Sequence, residues 1–192
     1  GWWRLDEGSG TTAGDSSPSR NDGTLENSPV WTAGFLGQAL SFGANQLVSV
    51  GNDPSLNFSG DFSLSAWVQS HSTGTHQAIL YKGVYSLYKQ DSGRLSFFTP
   101  GCGIVVSEGD VTPSVWHHAM VRRAGATVSL YLDGQMTGSA TCADNLTNSA
   151  ALAMGCIPGS PCMEPFNGLI DDTVATNAST ADPLNDFCAG QS

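Results

Sequence analysis

Apolar and polar residues alternate along this chain in short runs separated by turn formers. The runs cover 38–42, 46–50, 62–68, 78–82, 85–89, 94–98, 116–122, 127–132, 151–154 and 166–174. Period-two patterning bounded by Gly, Pro, Asn and Asp predicts half-buried strands. Asp91-Ser92-Gly93 and Asp133-Gly134 lie between such runs and predict hairpin turns. The one helical candidate is a turn at Ser179-Thr180-Ala181-Asp182. Ten or more strands without helices must pack as two sheets or close as a barrel. No linker, repeat or composition shift divides the 192 residues, enough to bury a core. The expectation is an all-β, two-sheet antiparallel β-sandwich over 1–192, with its core at 1–176 and a tail at 177–192.

The opening stretch, Trp2-Trp3-Arg4-Leu5-Asp6-Glu7-Gly8-Ser9-Gly10, joins a short apolar strand to a loop rich in oxygen ligands and glycine. Asp6, Glu7, Asp15, Asn21 and Asp22 follow one another with Gly8, Gly10, Gly14 and Gly23 among them. Such a loop suits a hard cation, because Ca2+ takes six to eight oxygens in flexible geometry. It equally suits a plain turn cluster, since Asp, Asn, Ser and Gly are what turns require. The residues alone leave both readings open.

Composition narrows the partner. Only 12% of residues are charged, about half the usual share, and the net charge is −10 with a pI near 4.4. That balance argues against nucleic acid or an anionic membrane surface. No run reaches membrane-spanning length, so membrane insertion is not expected. There is no basic-then-apolar leader, and Gly1 opens directly on a strand, as in a mature or excised module. Five cysteines, at 102, 142, 156, 162 and 188, lack zinc-site spacing. In so acidic and lysine-poor a chain they read as disulfides in an oxidising, extracellular setting. Cys156 and Cys162 enclose a Pro-Gly turn, and Cys102 and Cys142 flank predicted strands. That pairing is the expectation among roughly fifteen possibilities, with Cys188 left over in the tail.

The order of several motifs resembles the concanavalin A-like, laminin-G-like jelly-roll family of secreted bacterial proteins. They are Trp3-Arg4-Leu5-Asp6-Glu7-Gly8-Ser9-Gly10, Asn21-Asp22-Gly23-Thr24-Leu25, Gly37-Gln38-Ala39-Leu40-Ser41-Phe42 and Phe62-Ser63-Leu64-Ser65-Ala66-Trp67-Val68. Trp116-His117-His118, Leu130-Tyr131-Leu132-Asp133-Gly134 and Phe166-Asn167-Gly168-Leu169-Ile170-Asp171-Asp172 continue the series. After Asp172 the chain departs from the family pattern, giving Ala175-Thr176-Asn177-Ala178 in place of an apolar Tyr-containing stretch. The resemblance implies carbohydrate binding, adhesion or an accessory role beside secreted enzymes, and fold alone does not choose among them. It also implies a structural Ca2+ joining the opening loop to the last strand. The ligands would be Asp15, Asn21, Asp22 and Gly23, with Asp171 or Asp172, and carbonyls of Asp6 or Gly23 completing the shell.

Catalytic patterns are weak. Retaining glycosidases need two carboxylates about 5 Å apart, and none of Glu7, Glu26, Glu108 and Glu164 sits in a predicted strand beside an acid. Glu108 and Asp110 are suitably separated, but Gly109 and Val111-Thr112-Pro113 predict a loop. His117 and His118, adjacent on a strand, should face opposite sides, and neither has an evident orienting acid. For ligand contact, Trp31, Tyr81, Tyr85 and Tyr88 offer flat rings with polar handles, and His76 lies in an exposed Ser/Thr/Gly-rich loop. Tyr85 and Tyr88 differ by three, so at most one faces a shared groove. The expected function is a secreted, non-catalytic module recognising carbohydrate or a cell-surface glycoconjugate or protein, stabilised by Ca2+. The alternatives are an interaction domain of a larger secreted enzyme or adhesin without its own small ligand, and a glycoside hydrolase.

Overall fold

The computed structural model describes residues 1–142 and 145–178. Within them sixteen strands form two antiparallel sheets. They are β1 (Trp2–Trp3), β2 (Thr12–Ala13), β3 (Gly23–Glu26), β4 (Val30–Ala33), β5 (Gln38–Phe42), β6 (Leu47–Gly51), β7 (Phe62–Ser70) and β8 (Gln77–Lys82). Then follow β9 (Tyr85–Lys89), β10 (Arg94–Thr99), β11 (Gly103–Asp110), β12 (His117–Ala124), β13 (Thr127–Leu132), β14 (Gln135–Thr141), β15 (Leu152–Met154) and β16 (Gly168–Thr176). The first sheet runs β14-β13-β12-β7-β16-β5-β4 with β1 added beside β16, and the second runs β11-β10-β9-β8-β15-β6-β3-β2. A 3₁₀ turn at Pro54–Leu56 is the one helical element among the described residues. The antiparallel sandwich expected from the alternation is present, and both predicted hairpin turns are used.

Leu40, Leu64, Ala66, Val68, Val121, Leu130 and Ile170 of the first sheet and Val48, Leu80, Leu87, Phe97 and Leu152 of the second belong to one fully buried cluster. β7 is buried on both faces along nearly its whole length. Its outer side is covered because Phe35, from the β4–β5 turn, stacks on Trp67 with centroids 3.7 Å apart.

β11 and β14 escaped the sequence reading because Gly103, Gly109 and Gly138 interrupt their alternation. These strands are where the two sheets close against each other. A Cβ at Gly138 would lie 2.5 Å from the Val106 carbonyl oxygen, so the approach needs glycine. Cys102–Cys142 ties this edge and Cys156–Cys162 closes the loop after β15, as paired from the sequence. Cys188 and the turn at 179–182 lie outside the described residues.

The N-terminus is fixed by one carboxylate. Asp15 Oδ1 accepts from the Trp2 and Ser17 backbone N–H groups, and Oδ2 accepts from Ser17 Oγ and the Asn21 N–H, at 2.7–2.9 Å. Trp2 and Trp3 in turn pair with Val174 and Thr173 of β16, and Gly1 exchanges hydrogen bonds with Ala175. Burial alone would raise the Asp15 pKa, but the donors from Trp2, Ser17 and Asn21 outweigh it and hold it below the ordinary 3.8. Its contribution is therefore present at neutral pH and disappears as the pH falls through that depressed value. Asp15→Ala is expected to cost about 3 kcal/mol, the scale for losing hydrogen bonds to a buried charged group, as read by urea denaturation at pH 7. The difference from wild type should shrink in acid.

Candidate functional site

Register sorts the second sheet into an inner and an outer side. Leu80, Leu87, Phe97 and Val105 are cross-strand partners facing the core. The neighbouring row joins Ala153, Tyr81, Ser86, Phe98 and Ile104, and another joins Ala78, Tyr88, Ser96 and Val106. Period two places both rows on the outer side.

The loop between β15 and β16 folds over that side. Cys156–Cys162 and the Ile157–Met163 bridge shape it, and the Glu164 carbonyl accepts from the Ala78 N–H at 2.8 Å. Glu164 holds a left-handed backbone, φ +50°, a strain that persists only where surrounding structure imposes it. Its Oε1 lies 3.5 Å from His76 Nδ1, and the His76 ring stacks on Tyr88 at 5.9 Å.

Together these elements border an open cavity of about 220 Å³ lined by His76, Tyr88, Ser96, Phe98, Ile104 and Glu164. Ser96 Oγ and Glu164 Oε2 are buried there without a hydrogen-bond partner among the described residues. Ile104 is 58% exposed at the rim. Burial, with Glu164 and Tyr81 adding to it, pushes the Tyr88 phenol above its usual pKa, so it stays a neutral O–H donor.

Of the five ligand candidates, the structure gathers Tyr88 and His76 into this cavity and sets Tyr81 in the adjoining row. Tyr85 is corrected: it is fully buried, its hydroxyl donating to the Leu56 carbonyl at 3.1 Å. As the three-residue spacing required, only one of Tyr85 and Tyr88 faces outward. Trp31 lies on β4 of the other sheet, its indole N–H spent on the Gly10 carbonyl. Ser96, Phe98, Ile104 and Glu164 were not singled out. Their signal is cross-strand register, which a single run does not carry.

The histidines also differ from expectation. His117 and His118 are both buried, and an orienting acid exists: Asp133, from the β13–β14 turn, meets His117 Nδ1 at 2.7 Å. Yet His117 Nε2 accepts the Thr112 N–H at 2.9 Å, so the ring donates from Nδ1 and has no nitrogen left for a substrate proton. Burial pushes His118 down to about 4, against the pull of Asp133. Glu108 and Asp110 lie in β11 and not in a loop, both exposed at the sheet edge.

The residues expected to hold Ca2+ separate into local hydrogen-bonding roles. All four lone-pair positions of Asp15 are occupied by donors. Asp22 Oδ1 accepts the Asp15 N–H, the Asn21 amide donates to Ser55, and Gly23 pairs with Ala13 in the β2–β3 ladder. Asp6 Oδ1 accepts the Gln38 N–H. A β-bulge in β16 presents Asp171 and Asp172 in succession. Asp171 Oδ2 accepts the Leu36 N–H, and Asp172 Oδ1 accepts the Trp2 indole N–H at 2.5 Å. No three His, Cys, Asp or Glu among the described residues converge on one centre. Asp171 Oδ1, by contrast, is buried with no hydrogen-bond partner among the described residues.

The profile of the Concanavalin A-like lectin/glucanases superfamily matches residues 42–181. Among similar solved structures is domain 4 of AbnA, a GH43 extracellular arabinanase from Geobacillus stearothermophilus, in complex with arabinotriose. It is 19% identical with a TM-score of 0.75, the match covering 97% of this chain and 96% of that one. A putative carbohydrate binding protein from Bacteroides ovatus is 15% identical with a TM-score of 0.67, over 78% and 46% of the two chains. The binding domain of Paraclostridial Mosquitocidal Protein 1 is 15% identical with a TM-score of 0.72, over 96% and 53%. The chain thus spans about half the length of these last two. At such identities the likeness is one of fold. No curated protein matches the chain significantly.

Asp171 is fully buried, and burial, with Asp172 nearby, raises its pKa to about 7 in spite of the Leu36 and Phe35 N–H groups. A raised carboxylate favours folding fully below its unfolded value, and that advantage is lost as the pH rises towards 7. Asp171→Asn should therefore melt higher than wild type at pH 8 and no higher at pH 4, a comparison made by thermal scans at both pH values.

Proposed function

The chain belongs to the concanavalin A-like lectin/glucanases superfamily, and we propose that it is an extracellular, non-catalytic carbohydrate-binding module acting through the outer side of its second sheet. The observation that carries this reading is the pairing of ring faces with orphaned polar atoms in one cavity: Tyr88 and Phe98 beside Ser96 Oγ and Glu164 Oε2. A sugar needs this combination, because its C–H face packs on an aromatic ring while its hydroxyls seek buried donors and acceptors. Ser96 both donates and accepts, the Glu164 carboxyl oxygens accept, and the neutral Tyr88 phenol donates. Each unsatisfied group carries a desolvation cost that a hydroxyl in the right place would relieve.

The superfamily membership and the sugar-related neighbours support the same reading, as do the two disulfides for a place outside the cell. The chain's net charge of −10 favours neutral glycans or glycoconjugates over acidic ones. Catalysis is not expected, since His117 is committed to Thr112 and Asp133 and no paired carboxylates flank the cavity among its lining residues. The clasp at the N-terminus works by hydrogen bonds and needs no ion in this reading.

A glycan array, with arabinotriose as the first soluble probe, tests the proposal. Tyr88→Ala and Phe98→Ala should each weaken binding about tenfold, corresponding to roughly 1.4 kcal/mol for a lost stacking surface, while circular dichroism stays native. No binding by folded protein would favour an interaction domain without a small ligand, and turnover of a polysaccharide would favour a hydrolase. Excess chelator should leave both binding and melting temperature unchanged; a drop that added Ca2+ restores would show that the clasp holds an ion after all.

A further inference from the structure

The chain has two lysines, Lys82 and Lys89, and they are 0% and 1% exposed. They end β8 and β9, and their cross-strand partners Tyr85 and Leu95 belong to the core. Burying an ammonium is costly unless its donors are met. For Lys82 they are: Nζ donates to Asn52 Oδ1 and Asn57 Oδ1 at 2.9 Å and to the Asn148 carbonyl at 3.4 Å. Three donors meet three acceptors.

Lys89 is built differently. Its Nζ makes one long contact, 3.4 Å to the carbonyl of the adjacent Gln90, and no carboxylate among the described residues lies within ion-pair distance. Burial lowers its pKa, with Asp91 pulling the other way. It lines a cavity of about 230 Å³ between the β9–β10 turn, the end of β11 and the loop before β8. Asp91, Asp110, Thr73, Thr112 and Ser92 also line it. A buried cation short of acceptors thus borders a space edged by two carboxylates and three hydroxyls. This cavity is separate from the groove around Tyr88, with which it shares no lining residue.

We propose that the Lys89 cavity is a second glycan subsite, taking a pair of neighbouring hydroxyls from a neutral sugar. Lys89 donates to one hydroxyl oxygen, and Asp91 and Asp110 accept the hydroxyl protons. Only a group that is both donor and acceptor satisfies both kinds of partner. Two carboxylates around one ammonium leave the cavity net negative, which disfavours an anionic ligand. The inference rests on the carbohydrate-binding reading but concerns a different place on the molecule.

Labelling with ¹³C-lysine places two side-chain signals in an NMR spectrum, one of them an internal control. The probes are methyl glycosides of neutral pentoses and hexoses, with acetate and inorganic phosphate as anionic arms. At least one neutral glycoside should shift the Lys89 signal saturably, leave Lys82 unmoved, and still do so in Tyr88→Ala. Lys89→Met should weaken that binding tenfold or more without lowering the melting temperature, because it removes an under-paired buried charge. Lys82→Met should lower the melting temperature, since it strands three acceptors. No shift with any neutral glycoside, a shift with acetate or phosphate alone, a shift abolished by Tyr88→Ala, or a lower-melting Lys89→Met would each overturn the inference. Array binding through Tyr88 with a silent Lys89 would remove this subsite alone, whereas absence of glycan binding everywhere would remove the carbohydrate reading itself.

Discussion

The fold depends on how the last described strand is held. β16 lies in the middle of the first sheet, paired with β7, β5 and β1, so the sheet cannot close until distant parts of the chain meet. The N-terminal side of that closure is set by the Asp15 carboxylate, which gathers donors from Trp2, Ser17 and Asn21 and so holds β1 where it can pair with β16. A single anion serving four donors does here what a cation with many oxygen ligands would do in another loop. The electrostatic logic is inverted: backbone N–H groups converge on a buried negative charge, and each bond to an ionised acceptor is stronger than a neutral one.

That closure leaves the second sheet free to present a side chain surface. The outer rows of Tyr81, Ser86, Phe98 and Ile104, and of Tyr88 and Ser96, are straight consequences of register. The β15–β16 loop, carrying Glu164, and the β7–β8 loop, carrying His76, turn this flat surface into a groove beside Tyr88. Stapling by Cys156–Cys162 and the Ala78–Glu164 backbone bond hold a carboxylate in a backbone conformation that an L-residue rarely adopts. Such strain is maintained only by the structure around it, and here it falls beside orphaned polar atoms.

Charge is scarce in this chain, and its placement is correspondingly informative. Lys82 is anchored by amide oxygens and Lys89 is not, although both occupy equivalent inward positions at opposite ends of a hairpin. His117 and Asp133 form a pair that on paper suggests chemistry, yet the Thr112 N–H consumes the remaining ring nitrogen. In each case the decisive fact is the full list of partners and not the residue type.

Much of the architecture was legible in the chain. Alternation over 38–42, 85–89 and 127–132 coincides with β5, β9 and β13, because strand formation is dictated by neighbours in sequence, and both disulfides match the pairing expected among the many possible. The three-residue spacing of Tyr85 and Tyr88 likewise required that only one face a groove. What the tertiary structure alone decided is which groups meet across long separations. It made Asp15 a hydrogen-bond hub, drew β11 and β14 together at a glycine contact, set Glu164 in one cavity with Ser96 and Phe98, and left Lys89 short of acceptors. Those outcomes depend on register and on the closing of two sheets, and the free energy of a buried polar group is set by whichever partners that closure supplies or withholds.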